Sequence, residues 1–143
     1  MFSKACEYAL RSTLFIARNS SEENKIGIDQ ICKGIKSPRS FTAKVLQQLT
    51  RAEIISSVKG PNGGFYVPEK SLRQPMSSIL KAMGEDKMLK KCVLGLKRCT
   101  DLNPCPMHEE YKVVKAKLGE MFDSKTIRQV AESDEKEFEI LKA

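Results

Sequence analysis

The chain has 143 residues, 41% apolar and 30% charged, with no tryptophan, 6% aromatics and a net charge of +7. That suffices for one cored domain plus an appendage, suits a globular protein with a long helical surface, and leaves no aromatic platform for a sugar or large ligand. No apolar h-region opens the sequence and no apolar run approaches the length of a membrane span, so a cytoplasmic protein without membrane association is expected, its five cysteines kept as reduced thiols.

The charge is uneven. Residues 1–91 hold 16 Lys+Arg against 8 Asp+Glu, whereas residues 92–143 hold 9 against 10. A basic N-terminal part is the electrostatic footprint of a nucleic-acid-facing module; a merely solvated basic surface is the competing reading.

In chain order, residues 3–18 read as a helix capped by Ser3, with one broad apolar face built from Ala9, Leu10, Thr13, Leu14, Ile16 and Ala17. Ile28, Ile31, Cys32 and Ile35 have the i, i+3, i+4, i+7 spacing of a second, short helix over 28–35. Lys36-Ser37-Pro38 ends it, and a third helix is expected with Ser37 as its cap and Pro38 as its first residue. Phe41, Val45, Leu46 and Leu49 should point inward, leaving Arg39, Ser40, Thr42, Lys44 and Gln47 outside. Two helices joined by a tight turn, the second with a polar outer face, outline a helix-turn-helix.

The β-branched run Ile54–Val58, the loop Lys59-Gly60-Pro61-Asn62-Gly63-Gly64 and then Phe65-Tyr66-Val67 predict a hairpin, which after a helix-turn-helix is a wing. The loop lacks the Gly-Lys-Ser/Thr ending of a nucleotide P-loop and leads into a strand, which argues against phosphate cradling. Pro75, Met76, Ile79, Leu80 and Met83 suggest a short helix stopped by Gly84. A longer helix is expected from about Pro106 to 122. Its apolar residues Met107, Tyr111, Val114, Leu118 and Met121 recur at intervals of 4, 3, 4 and 3, a heptad seam suited to pairing with a second copy. Residues 125–131 suggest one more helical turn, and the acidic tail from Glu132 a partly disordered end. The fold class is thus mostly α with a small β-hairpin wing. The expected units are a winged helix-turn-helix domain (1–83), a cysteine-bearing loop (84–105), a dimerisation helix with a short following helix (106–131) and the tail (132–143).

Between Lys33 and Lys59 stand six basic residues and one acid, Glu53. Phosphate neutralisation by such residues, Lys36 among them, supplies affinity through counterion release. Arg39, Ser40 and Lys44 are candidates for the major groove, Gln47 is a further DNA-binding candidate on the same outer side, and Lys59 on the wing is a candidate for the neighbouring minor groove.

Cys92, Cys99 and Cys105, with the chain's single histidine, His108, lie in a stretch too rich in turn formers for a helix interior. Three thiolates and one imidazole suit either an iron–sulfur cluster or a zinc ion, although no Cys-x2-Cys pair favours zinc. Lys90, Lys91, Lys97 and Arg98 nearby favour thiolate. Cys6 and Cys32 fall on apolar helical faces and read as core residues. One histidine and no catalytic acid constellation speak against an enzyme.

Three segments, Glu7-Tyr8-Ala9-Leu10-Arg11, Ser57 through Phe65, and the Cys-Pro-Met-His stretch ending at His108, resemble the IscR/NsrR-type winged-helix regulators of bacteria, the Rrf family. The resemblance spans about residues 1–131. It implies a homodimeric transcription factor on a palindromic double-stranded DNA operator. It also implies a [2Fe–2S] or [4Fe–4S] cluster on Cys92, Cys99 and Cys105 that senses iron–sulfur, nitric oxide or redox status. His108 and Glu7 are rival fourth ligands by the same resemblance. Six residues separate Cys92 from Cys99, one more than the usual pattern. The alternatives are a regulator without a cluster, acting through reduced thiols or a small effector, and a winged domain that binds protein instead of DNA.

Overall fold

The computed structural model describes residues 1–142. Helix α1 (Lys4–Asn19) is the central post of the fold. Ser3 caps it, its Oγ accepting the Cys6 N–H at 3.1 Å. Cys6, Ala9 and Ile16 on α1 are fully buried, because helices meet α1 on more than one side: α2 (Ile28–Ile35), α3 (Arg39–Arg51), α5 (Ser77–Ala82) and α7 (Ile127–Ala131). Tyr8 of α1 meets Phe41 of α3 edge to face at 5.3 Å.

The α2–α3 turn takes its shape from Lys36, whose left-handed conformation (φ 51°) lets the backbone close on the Cys32 carbonyl. Pro38, not Ser37, occupies the cap of α3, and its carbonyl accepts the Thr42 N–H at 2.9 Å. Thr42 itself is a correction: expected outside, it is fully buried. Its hydroxyl lies 2.7 Å from the Pro38 carbonyl and 2.6 Å from Ser37 Oγ, so the preceding turn satisfies its polarity. Gly34 allows α2 to approach α1 closely, since a Cβ there would sit 2.2 Å from the Phe15 ring.

The wing is an antiparallel hairpin of β1 (Ser56–Val58) and β2 (Gly64–Tyr66), with Ser57 opposite Phe65. Gly60 at φ 108° makes the turn accessible. Ile54 and Ile55, read as strand, instead plug the core just before it. Phe65 also bridges to Ile26, through Ile26 N–H to Phe65 O (3.1 Å) and Phe65 N–H to Ile26 O (2.7 Å), which moors the wing's root to the segment before α2. Helix α4 (Glu69–Leu72) follows, a single turn without a sequence signal of its own.

After α5 the chain enters the cysteine loop, opened by a 3-10 turn at Asp86–Leu89, and then runs into α6 (His108–Ser124). Helix α6 leans on the core through half-buried Leu118 and buried Phe122; Phe122 meets Phe2 edge to face at 5.5 Å. Much of its apolar face stays in solvent, with Met107 45% exposed, Val114 52% and Met121 56%, and Val113, off that face, is 59% exposed. The chain then returns to the winged domain. The Met76 N–H donates to Lys125 O (3.0 Å), the Ile127 N–H to Gln74 O (2.9 Å), and Ile127 on α7 is fully buried.

The tail follows α7. It forms α8 (Glu135–Glu139) and a 3-10 turn (Ile140–Lys142). Arg18 supplies what the pattern could not show: its Nη1 donates to Ala131 O at 3.0 Å and Ser133 O at 2.6 Å, and its guanidinium stacks 4.6 Å over Phe138. Ala143 lies outside the described residues. Among the described residues no helix is long and apolar enough to cross a membrane.

Candidate functional site

Two features stand out. The first is the outer face of α3. Its apolar residues Val45, Leu46 and Leu49 are buried, which turns Ser40, Lys44, Gln47 and Arg51 outward along one stripe at helical spacing. Arg39 stands beside this stripe, exposed, with its Nε donating to Asp29 Oδ1 of α2 at 2.8 Å. Lys36 at the turn and Lys59 at the start of the wing loop are also exposed. The sequence-predicted DNA-facing residues Lys36, Arg39, Ser40, Lys44, Gln47 and Lys59 are all exposed, on the turn, on α3 and on the wing loop. Asp29 was missed from sequence, because its partner lies across the turn.

The second feature is the cysteine loop. The Sγ atoms of Cys92, Cys99 and Cys105 all lie within 4.8 Å of one another, each half-buried. Cys92 Sγ is 3.6 Å from Cys105 Sγ, and the Cys105 N–H donates to Cys99 Sγ at 3.3 Å. The turn Thr100–Asn103 closes on itself by paired backbone bonds of 3.2 and 3.1 Å and folds the segment back between the second and third thiols. Its Asp101 reaches His108, with Oδ1 2.9 Å from Nε2, while Lys112 Nζ holds the same oxygen at 2.8 Å. The other imidazole nitrogen, Nδ1, lies 3.2 Å from Cys99 Sγ. A cleft of about 330 Å³ opens beside Cys92, Cys99 and His108, and Lys90, Lys112 and Lys115 make its other wall basic.

The thiols are not equivalent. Cys92 is lowered to about 7, chiefly by the backbone N–H of Leu96, with that of Leu94 and the Cys105 and Cys99 thiols adding to it against desolvation. At Cys99 the Cys105 N–H pulls down, but desolvation and the two neighbouring thiols outweigh it and the net shift is upward. Asp101 falls to about 2, first through its bond from Lys112 and then through that with His108. Cys6, in the core, is pushed up to about 12 by burial and then by Glu85, which leaves it a neutral packing residue. Cys32 is half-buried on α2. Glu7, the rival ligand, is exposed on α1 with its carboxylate 3.9 Å from Lys4 Nζ; among the described residues it does not group with the three thiols.

The profile of a family described as "Iron-dependent Transcriptional regulator", Rrf2, matches residues 2–133. The chain belongs to the Rrf2 family. It is therefore a transcriptional regulator with a DNA-binding winged helix, and its family is not one of enzymes. It is 29% identical over 138 residues to a putative HTH-type transcriptional regulator of Aquifex aeolicus, covering 95% of this chain and 94% of that one. Among solved structures, the B. subtilis global cysteine regulator CymR superposes with a TM-score of 0.76 at 16% identity, covering 94% of this chain and 98% of its own. T. potens IscR superposes with a TM-score of 0.71 at 16% identity, covering 95% and 90%. These likenesses bear out the winged-helix fold expected from the sequence. In this Rrf2 chain, Asp101 and Lys112 were missed at the cysteine site. Lys112 lies four residues after His108, one helical turn along α6, and that spacing was the available signal.

Proposed function

We propose that this Rrf2 chain works as a homodimer on palindromic double-stranded DNA, with its grip set by an iron–sulfur cluster on Cys92, Cys99 and Cys105. The observation that carries the reading is the convergence of three sulfur donors, within 4.8 Å of one another, on the loop that leads into α6. The donor set fits the group: soft thiolates are what iron–sulfur clusters take, and the Leu96 and Leu94 N–H groups that aid Cys92 ionisation favour the ligating form. When bound, the cluster supplies a redox-active centre sensitive to iron–sulfur status, oxidants or nitric oxide. His108 is the candidate fourth ligand supported by position, standing 3.2 Å from Cys99 Sγ; Glu7 has no such support.

The remaining work falls to residues of the chain. The Cys105 carbonyl accepts the His108 N–H at 3.0 Å, so the third thiol is fixed directly to the first turn of α6. The exposed apolar residues of α6 suit pairing with a second copy, which would set the separation of two α3 helices. Half-sites about 34–36 Å apart tolerate little error in that separation. On each half-site Arg39, Ser40, Lys44 and Gln47 would meet the major groove, Lys59 the minor groove, and Lys36 the phosphates. The experiment is anaerobic purification and reconstitution, with a visible spectrum and assays of iron and sulfide. A coloured protein that loses its colour on Cys99→Ala supports the cluster, and a colourless protein without iron contradicts it.

A second reading has its own observation, the 3.6 Å between Cys92 Sγ and Cys105 Sγ. In a cluster-free protein these two thiols would give two electrons and two protons to a hydroperoxide, forming a disulfide, water and an alcohol. The named CymR likeness, a cysteine regulator, keeps this thiol-based reading in view. Reversible oxidation in protein that never takes up iron would select it.

A further inference from the structure

Asp101, His108 and Lys112 form a hydrogen-bonded chain that ends at a thiol. Lys112 Nζ and His108 Nε2 both meet Asp101 Oδ1, at 2.8 and 2.9 Å, and His108 Nδ1 faces Cys99 Sγ at 3.2 Å. The imidazole is nearly enclosed, with its side chain 12% exposed, while Asp101 and Lys112 stand in solvent at 68% and 54%. A carboxylate paired with an ammonium only accepts hydrogen bonds. Nε2 must therefore carry the proton, and in the neutral ring Nδ1 is then the lone-pair nitrogen, aimed at the thiols. This is the way a carboxylate bonded to the far ring nitrogen orients a ligating histidine.

We propose that Asp101, held at the ring's Nε2 by Lys112, is the positioning residue that fixes His108 in the Nε2–H form and so presents Nδ1 as the nitrogen donor beside the cysteine trio. The inference rests on the cluster reading only for its consequence; the tautomer itself belongs to the metal-free protein. The same carboxylate, His108 and Glu109 also group closely enough to suggest a separate cation site, but the Lys112 ammonium already occupies the carboxylate and competes with any cation there.

The test uses the full-length chain with Asp101→Asn and Asp101→Ala. Both substitutions are at an exposed turn, and circular dichroism checks the fold. The first readout is the imidazole 15N spectrum of metal-free, reduced protein. The wild type should show Nε2–H, whereas Asn, which can donate to Nε2, should shift the proton toward Nδ1, and Ala should give a mixture. The second readout is iron release to a chelator after anaerobic reconstitution, where loss of the carboxylate bonded to His108 should weaken retention by about 10–100-fold. An unchanged tautomer in Asp101→Asn overturns the positioning role. A changed tautomer with unchanged iron retention overturns the presentation of Nδ1 as a donor. A wild type that takes up no iron sinks the cluster reading, and the 15N spectra still decide whether Asp101 fixes the ring.

Discussion

Replacing Val114 with Asp should take the regulator apart. Val114 is half exposed at the middle of the apolar face of α6, flanked by Met107, Tyr111, Leu118 and Met121 at seam spacing. Burying half of a valine side chain is worth about 1 kcal/mol, or about 2 kcal/mol for the two copies in a dimer. The substitution forfeits that and brings a carboxylate from each protomer into a desolvated seam, which costs at least as much again, on the order of 2 kcal/mol. A total near 4 kcal/mol corresponds to roughly a thousandfold weaker dimer. Ala116 lies on the opposite side of the helix, and Ala116→Asp carries only a helix-propensity penalty of about 0.7 kcal/mol or less. Sedimentation equilibrium over a concentration series measures both. The wild type and Ala116→Asp should be dimers where Val114→Asp is a monomer. If Val114→Asp dimerises as tightly as the wild type, α6 is not the pairing element.

Other consequences follow from the same geometry. Lys44→Ala should weaken duplex binding and lower the salt slope of binding, by about 1 if its contact is to phosphate, as read by fluorescence anisotropy between low and moderate salt. Asp29→Asn should free Arg39 from its exposed ion pair and tighten DNA binding by about 1.4–5-fold, since such a pair is worth only about 0.2–1 kcal/mol; unchanged or weaker binding would show that Arg39 does not face the duplex. In metal-free reduced protein, Cys92 should alkylate with a midpoint near its lowered value of about 7, below the ordinary 9.0. The sign is that of a depressed acid: the folded state favours its thiolate, so the associated stabilisation is present above pH 9 and is lost as the pH falls through 7. Cys6, pushed up to about 12 and buried, should stay unlabelled until the protein unfolds. Gly34→Ala should lower stability by about 1–3 kcal/mol in a urea melt, because the new methyl group collides with the Phe15 ring.

Periodicity carried most of the fold. The apolar stripes of α1, α2 and α6 are long enough to declare themselves, and the glycine-rich loop between a β-branched run and Phe65-Tyr66-Val67 declares the wing. What escaped depends on contacts distant in sequence. Ile26 forms a one-residue bridge with Phe65, too short to leave a pattern, and the tail is held by Arg18 more than a hundred residues away. Thr42 was misplaced because hydropathy treats a hydroxyl as polar even when the preceding turn satisfies it. At the site, the three thiols were legible because cysteine and histidine are rare and clustered here. Asp101 and Lys112 were not, since charged residues are common in this chain and only the fold brings these two to His108.

The most direct test of the account measures DNA affinity twice on one anaerobic preparation, first with iron and sulfide bound and then after their removal, against an operator selected from random duplexes. Coupling between the sulfur site and the recognition helices predicts a change of about 5–150-fold in affinity, abolished by Cys99→Ala. Equal affinity in the two states, with a well-folded dimer in both, would contradict it.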